Sequence, residues 1–133
     1  MSKIPVNELI SCFERMRDEH WDYCLNSARE GCVDCSGAFV WAYMQFGKSI
    51  LHGSNSIARL SVGDLLPISS ARPGMAVVKV KDWTDDDDTN RWYDTNPGNV
   101  YHIGLVIQNG SEMNVIEAKG ERWGVVQNKL PFA

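Results

Sequence analysis

The stretch Val33 to Gly47, VDCSGAFVWAYMQFG, limits this chain more than any other. From Gly37 to Phe46 it is apolar almost without interruption, through Ala38, Phe39, Val40, Trp41, Ala42, Tyr43, Met44 and Phe46. A helix apolar on all sides belongs in the middle of a domain, and Gly47 supplies its C-terminal stop. Cys35 sits between Asp34 and Ser36, where this helix begins. There the helix dipole and the unpaired backbone N–H groups favour the thiolate over the thiol, which is how a nucleophile is made. A buried packing thiol is the ordinary alternative, so the remainder of the chain has to separate the two.

Before this helix, Val6, Leu9, Ile10, Phe13 and Met16 follow the i, i+3, i+4, i+7 spacing of an amphipathic helix, with Pro5 in its first turn and a fade near Asp18 to Trp21. Cys12 beside that stripe reads as packing. Glu19 to Cys32 has no firm period and reads as a loop, with Trp21 and Tyr23 as core residues or the wall of a site. After Gly47, Ser54 or Asn55 can cap a short helix running to Leu60. His52, like His20, reads as a lone surface histidine. Arg72-Pro73-Gly74 is a turn that introduces a β-rich run, Met75 to Val80. Lys81 to Asn99 is a polar insertion. Its Asp85 to Asp88 run lacks the alternation and the bend glycine of a calcium loop, and reads as solvated charge.

The last third carries the clearest β signal. Tyr101 to Gln108 and Glu112 to Ala118 flank Asn109-Gly110, a strong hairpin marker. A two-residue type I′ turn at Asn109-Gly110 places Gln108 opposite Ser111 and His102 opposite Glu117, with Cβ atoms roughly 4.5–5.5 Å apart. A pairing shifted by two leaves them diagonal neighbours on the same face. Gly104, next along that face, leaves space for something to approach. A final strand is expected over about Arg122 to Gln127.

A thiol nucleophile needs a base within reach and a group that orients the base. His102 is the histidine on a predicted strand, and Glu117 is the carboxylate that fixes its tautomer and stabilises the imidazolium. Cys35 and His102 are then expected to rest as thiolate and imidazolium. Attack on an amide carbonyl gives an acyl-enzyme, its oxyanion held in part by the Cys35 N–H. Helix cysteine first and strand histidine later is the order of papain-like folds.

Composition narrows the partners. The chain has 133 residues, 44% hydrophobic and 23% charged, enough for a single domain over 1–133 with a real core. A net charge of −4 leaves no basic stripe for a nucleic acid. No apolar run is long enough to cross a membrane. MSKIPVNELI has no signal-peptide core, so the protein is expected to be cytoplasmic as made, or one piece of a longer exported or virion chain. Cys12, Cys24, Cys32 and Cys35 are accordingly expected to be free thiols. The reading requires neither cofactor nor metal.

Asp34-Cys35-Ser36-Gly37 and Tyr101-His102-Ile103-Gly104, taken together, resemble the NlpC-type cell-wall cysteine peptidases from about Trp21 to Val126. Val115 to Gly120, VIEAKG, looks like a lineage of phage endolysins from Gram-positive hosts. The resemblance implies a papain-like α+β fold, a central helix bearing the nucleophile packed on an antiparallel sheet. It implies hydrolysis of an amide bond in peptidoglycan stem peptides, by an endopeptidase or an amidase. It carries over Cys35 as nucleophile, His102 as base and Glu117 as the third polar residue, with Tyr23, Asp34 and Ser36 lining the substrate cleft. A wall-binding domain or a holin would be supplied separately.

The chain departs from the family's pattern at three places. Tyr23 is followed by Cys24-Leu25-Asn26 where many relatives have two glycines. Met75 stands where an acidic residue follows the Pro-Gly turn. Glu117 stands where a neutral His, Asn or Gln is common; a full negative charge favours the imidazolium and extends activity to higher pH. Three rivals remain. Cys32-x-x-Cys35 before a helix is also a thiol-disulfide redox pattern, although Asn26 to Gly31 is not a recognisable strand. A structural zinc lacks a second ligand pair, with His20 and Cys24 poorly placed. A non-catalytic cell-wall or virion protein would keep the fold without turnover.

Overall fold

The structure, a computed structural model, describes residues 4–60, 66–81 and 99–130. The polar insertion, with Asp85 to Asp88 and Asn96-Pro97-Gly98, falls mostly outside them. The first helix, α1, spans Val6–Asp18 and buries Leu9, Phe13 and Met16 as its spacing predicts, while Val6 stays 48% exposed. Pro5 is the N-cap rather than a first-turn residue, its carbonyl accepting from the N–H groups of Glu8 and Leu9.

The segment expected to be a loop holds three short strands: β1 (Asp22–Tyr23), β2 (Ala28–Arg29) and β3 (Cys32–Val33). They form a small sheet in the order β1-β3-β2, with β3 running directly into the central helix. Two-residue strands are too short to carry any hydrophobic period, so alternation could not reveal them. The pairing also brings Cys24 and Cys32 together in a disulfide, with Cα atoms 5.4 Å apart. The expectation of free thiols therefore fails for this pair, and holds for Cys12 and Cys35.

The central helix, α2, spans Cys35–Met44 and buries Ser36, Gly37, Ala38, Phe39, Trp41 and Ala42. Gly47 ends it at φ +72, with the N–H of Lys48 returning to the Tyr43 carbonyl. Burial is not uniform: Met44 in the last turn is 47% exposed. The ring of Phe39 meets Phe13 of α1 edge to face at 4.8 Å, and Trp41 meets Trp21 likewise at 4.7 Å. Trp21 is thus a core residue, not part of a loose loop. Helix α3 (Ser54–Leu60) forms where expected, but Ser54 and Asn55 lie in its first turn and bond β5. Ser54 Oγ donates to the Val100 carbonyl at 2.6 Å, and the Val100 N–H donates to Asn55 Oδ1 at 2.8 Å.

Four antiparallel strands, β4 (Ala76–Lys81), β5 (Asn99–Asn109), β6 (Glu112–Gly120) and β7 (Gly124–Lys129), make the main sheet in the order β4-β5-β6-β7. Ile103, Leu105, Ile107, Ile116 and Ala118 pack on α1 and α2, while Val106 and Val115 alternate to the other face and join Val77. The architecture is the α+β arrangement predicted: a central helix on an antiparallel sheet.

The hairpin register differs from the expected one. Asn109 pairs with Glu112, so Gly110-Ser111 is the turn and Gly110 takes the positive φ, +63. Asn109 has joined the strand, which moves every partner by two residues and brings Gly104, rather than His102, opposite Glu117. β7 also starts two residues later than predicted, because Gly124 at φ +66 passes close to the Trp21 carbonyl.

Candidate functional site

Asp34 builds the start of α2. Its Oδ1 accepts from the N–H of Gly37 at 2.7 Å, an N-cap bond, and its Oδ2 accepts from the N–H of Asn26 at 2.7 Å. The Asp34 N–H donates in turn to the Ser27 carbonyl, and Gly37 passes so close to that carbonyl that any Cβ would collide with it. The β1–β2 connection is therefore laid flat on the N-terminus of the helix. This is why Gly37 follows the Asp34-Cys35-Ser36 run.

Two further side chains reach the same carboxylate. His52 Nε2 lies 2.7 Å from Asp34 Oδ1, and Ser36 Oγ lies 3.4 Å from it. Ser36 Oγ also accepts from the N–H of Gly53 at 3.1 Å. His52 is not the lone surface histidine its Gly/Ser-rich surroundings suggested. Its side chain is 30% exposed, but one ring nitrogen is committed to a carboxylate only 7% exposed. Nothing local in the sequence signals this contact, since the partners are eighteen residues apart.

Cys35 faces the sheet. The backbone N–H groups of Ile103, Ser36 and Cys35 itself lie near enough to favour the thiolate. Burial acts more strongly in the other direction, the Asp34 charge adds to it, and the thiol stands above its ordinary 9.0. The helix terminus therefore does not by itself lower the Cys35 thiol, because the end it occupies is buried. The β5–β6 ladder runs from Leu105/Ile116 to Asn109/Glu112 and stops short of Ile103.

The residue before Ile103 is His102. Its Nε2 lies 2.6 Å from Glu117 Oε1, with the histidine side chain 13% exposed and the glutamate 2% exposed. Glu117 Oε2 accepts from Asn128 Nδ2 at 3.0 Å. Burial pushes the Glu117 carboxyl up, but the His102 and Asn128 bonds and the charges of His102 and Lys79 more than offset it, leaving it below 4.5. Asn128 was missed because the predicted last strand stopped at Gln127; in the strand as built it lies two residues beyond Val126, the partner of Glu117. Gly104 is not open space for a ligand. A Cβ there would collide with Val115 Cγ2 and lie 3.2 Å from Glu117 Cβ.

Tyr23 of β1 is half-buried, and burial, then the proximity of Cys35, Asp34 and Glu121, raises its phenol above the ordinary 10.0. The structure thus gathers Tyr23, Asp34, Cys35 and Ser36 at one helix end, with His102 and Glu117 on the strands beside it. Cys32 points elsewhere, into its bond with Cys24.

The fold is that of NlpC/p60 domains. The NlpC/p60 domain of the peptidoglycan hydrolase SagA superposes with a TM-score of 0.68 at 18% identity, over 96% of this chain and 91% of that one. An NlpC/P60 family protein from Bacillus cereus gives a TM-score of 0.71 at 18% identity, over 98% of this chain but 37% of that one. The peptidoglycan hydrolase RipB from Mycobacterium tuberculosis gives 0.58 at 19% identity, over 98% of this chain and 64% of that one. The chain thus spans well under half of the Bacillus cereus protein. No sequence-family model matches the chain, and no curated protein matches it in sequence.

Proposed function

We propose that this protein is a cysteine hydrolase that cleaves an amide bond of the peptidoglycan stem peptide. One observation supports this above the others: His102 lies 2.6 Å from buried Glu117, on the same strand as Ile103, whose N–H favours the Cys35 thiolate. The NlpC/p60 fold and the hydrolases that share it make peptidoglycan the substrate class to try first.

In this mechanism His102 Nε2–H donates to Glu117, which leaves Nδ1 as the basic nitrogen. Nδ1 takes the Cys35 proton as the sulfur attacks the amide carbonyl. The tetrahedral oxyanion is met by the Cys35 N–H at the helix N-terminus. Collapse breaks the C–N bond, His102 returns the proton to the departing amine, and a thioester remains. Water, deprotonated by His102, then releases the acid and regenerates the thiol. Tyr23, Asp34 and Ser36 are the proposed grip on the peptide.

Cys24–Cys32 supports a site of action outside the reducing cytosol, since such bonds persist in oxidising compartments. A wall-binding module or a holin, and a phage origin, belong to the same proposal. The test is loss of turbidity of Gram-positive cell walls, wild type against Cys35→Ala, with mass spectrometry of released muropeptides to identify the bond. Lysis by wild type alone is expected. If neither protein lyses walls of any peptidoglycan type tried, the non-catalytic reading takes over.

A further inference from the structure

His52 stands outside the constellation just described, yet it makes one of the shortest side-chain contacts near it. The loop that carries it is held at both ends. Gly53 N–H donates to Ser36 Oγ, and Ser54 and Asn55 bond both backbone groups of Val100. The same few residues therefore tie the start of α2, which bears Cys35, to the start of β5, which bears His102. In the middle of this tie the His52 ring meets Asp34 Oδ1, the oxygen that also caps the helix.

We propose that His52 is a positioning residue for Cys35 that acts through Asp34, holding the carboxylate on the helix cap and offsetting its charge at the neighbouring thiol. The proposal rests on the reading of Cys35 as the nucleophile. Asp34 adjoins Cys35 and opposes its ionisation, second only to burial. A cation or a strong N–H donor on the far side of that carboxylate draws its charge away from the sulfur. Among the described residues, the other ionisable groups near this end of the helix are Tyr23 from β1, Glu121, and His102 with Glu117 from β5 and β6. Lys79 of β4 stands opposite His102.

The test follows alkylation of Cys35 by iodoacetamide across pH, with peptide mass distinguishing it from Cys12. It needs no wall substrate, so it fails independently of the hydrolase assay. In His52→Ala the alkylation midpoint should rise by roughly half a pH unit, a threefold loss of thiolate at fixed pH. On wall fragments kcat should fall by a similar factor. His52→Gln, which keeps an N–H donor, should restore most of the shift. An Ala variant that melts lower but alkylates at the wild-type midpoint shows a merely structural role and overturns the proposal. Should His52→Ala not fold, His52→Arg against His52→Gln decides: the permanent charge must give the lower midpoint, and equal midpoints overturn it.

Discussion

Gly104 and Glu117 face each other across β5 and β6 so closely that the Cβ Gly104 lacks would lie 3.2 Å from the Glu117 Cβ. The carboxylate reaches His102 diagonally across that bare position. An alanine at Gly104 would also run into Val115 Cγ2, and a packed sheet interior has little room to yield. Gly104→Ala should cost about 1–3 kcal/mol of stability in denaturant unfolding. It should also depress activity beyond what the unfolded fraction explains, because the Glu117 side chain must move. A variant with wild-type unfolding and wild-type turnover would show that the glycine is incidental.

Glu117→Gln keeps the shape of the side chain and removes its charge. The amide can still accept from His102, but its NH₂ then meets the Asn128 donor that Glu117 Oε2 now accepts from. Turnover should fall by about tenfold, less than the roughly hundredfold or more that loss of the general base itself would cost. The alkaline limb of the pH–rate profile should move to lower pH, since the imidazolium loses its anionic partner. An unshifted alkaline limb would remove the electrostatic role given to Glu117.

The same carboxylate links stability to acid. The pKa of Glu117 in the folded protein is depressed below the ordinary 4.5. A depressed carboxylate contributes stability that is fully present above its unfolded pKa and is lost as pH falls through the folded value. The melting-temperature difference between wild type and Glu117→Gln should therefore shrink on acidification below the ordinary carboxylate range. A difference that grows on acidification would reverse the sign and reject the assignment.

Cys24 and Cys32 close a short loop, eight residues apart. Replacing both by serine should lower stability by about 2–3 kcal/mol, read from denaturant unfolding. Activity per folded molecule should survive. Loss of activity with the fold intact would revive the Cys32/Cys35 redox reading, which the Cys24–Cys32 pairing otherwise leaves without its partner.

What the chain reveals of itself follows the reach of each signal. The apolar run to Gly47 and the stripe through Leu9, Phe13 and Met16 are periodic over several turns, and both helices form within a few residues of their predicted ends. Cys35, His102 and Glu117 were legible because face sharing in a strand depends on parity: a turn displaced to Gly110-Ser111 shifts partners by two and preserves the face. The pieces that escaped are those with no period to betray them. β1, β2 and β3 are two residues each, the Cys24–Cys32 bond depends on their pairing, and the His52–Asp34 contact is made by a loop folding back. The thiol's upward shift escaped for a related reason: sequence places Cys35 at a helix end but does not say how deeply that end is buried.

The turn at Gly110-Ser111 closes the β5–β6 hairpin at the end away from His102, eight residues along an extended strand, or about 26 Å. Gln108, Asn109, Gly110, Ser111 and Glu112 are all exposed there, and the turn's positive-φ glycine meets nothing within 4 Å. A peptide tag or a foreign targeting module spliced between Gly110 and Ser111 would lengthen a solvent-facing tip while the paired strands keep their register. The hairpin thus offers a grafting point through which this small scaffold could be steered to a chosen surface.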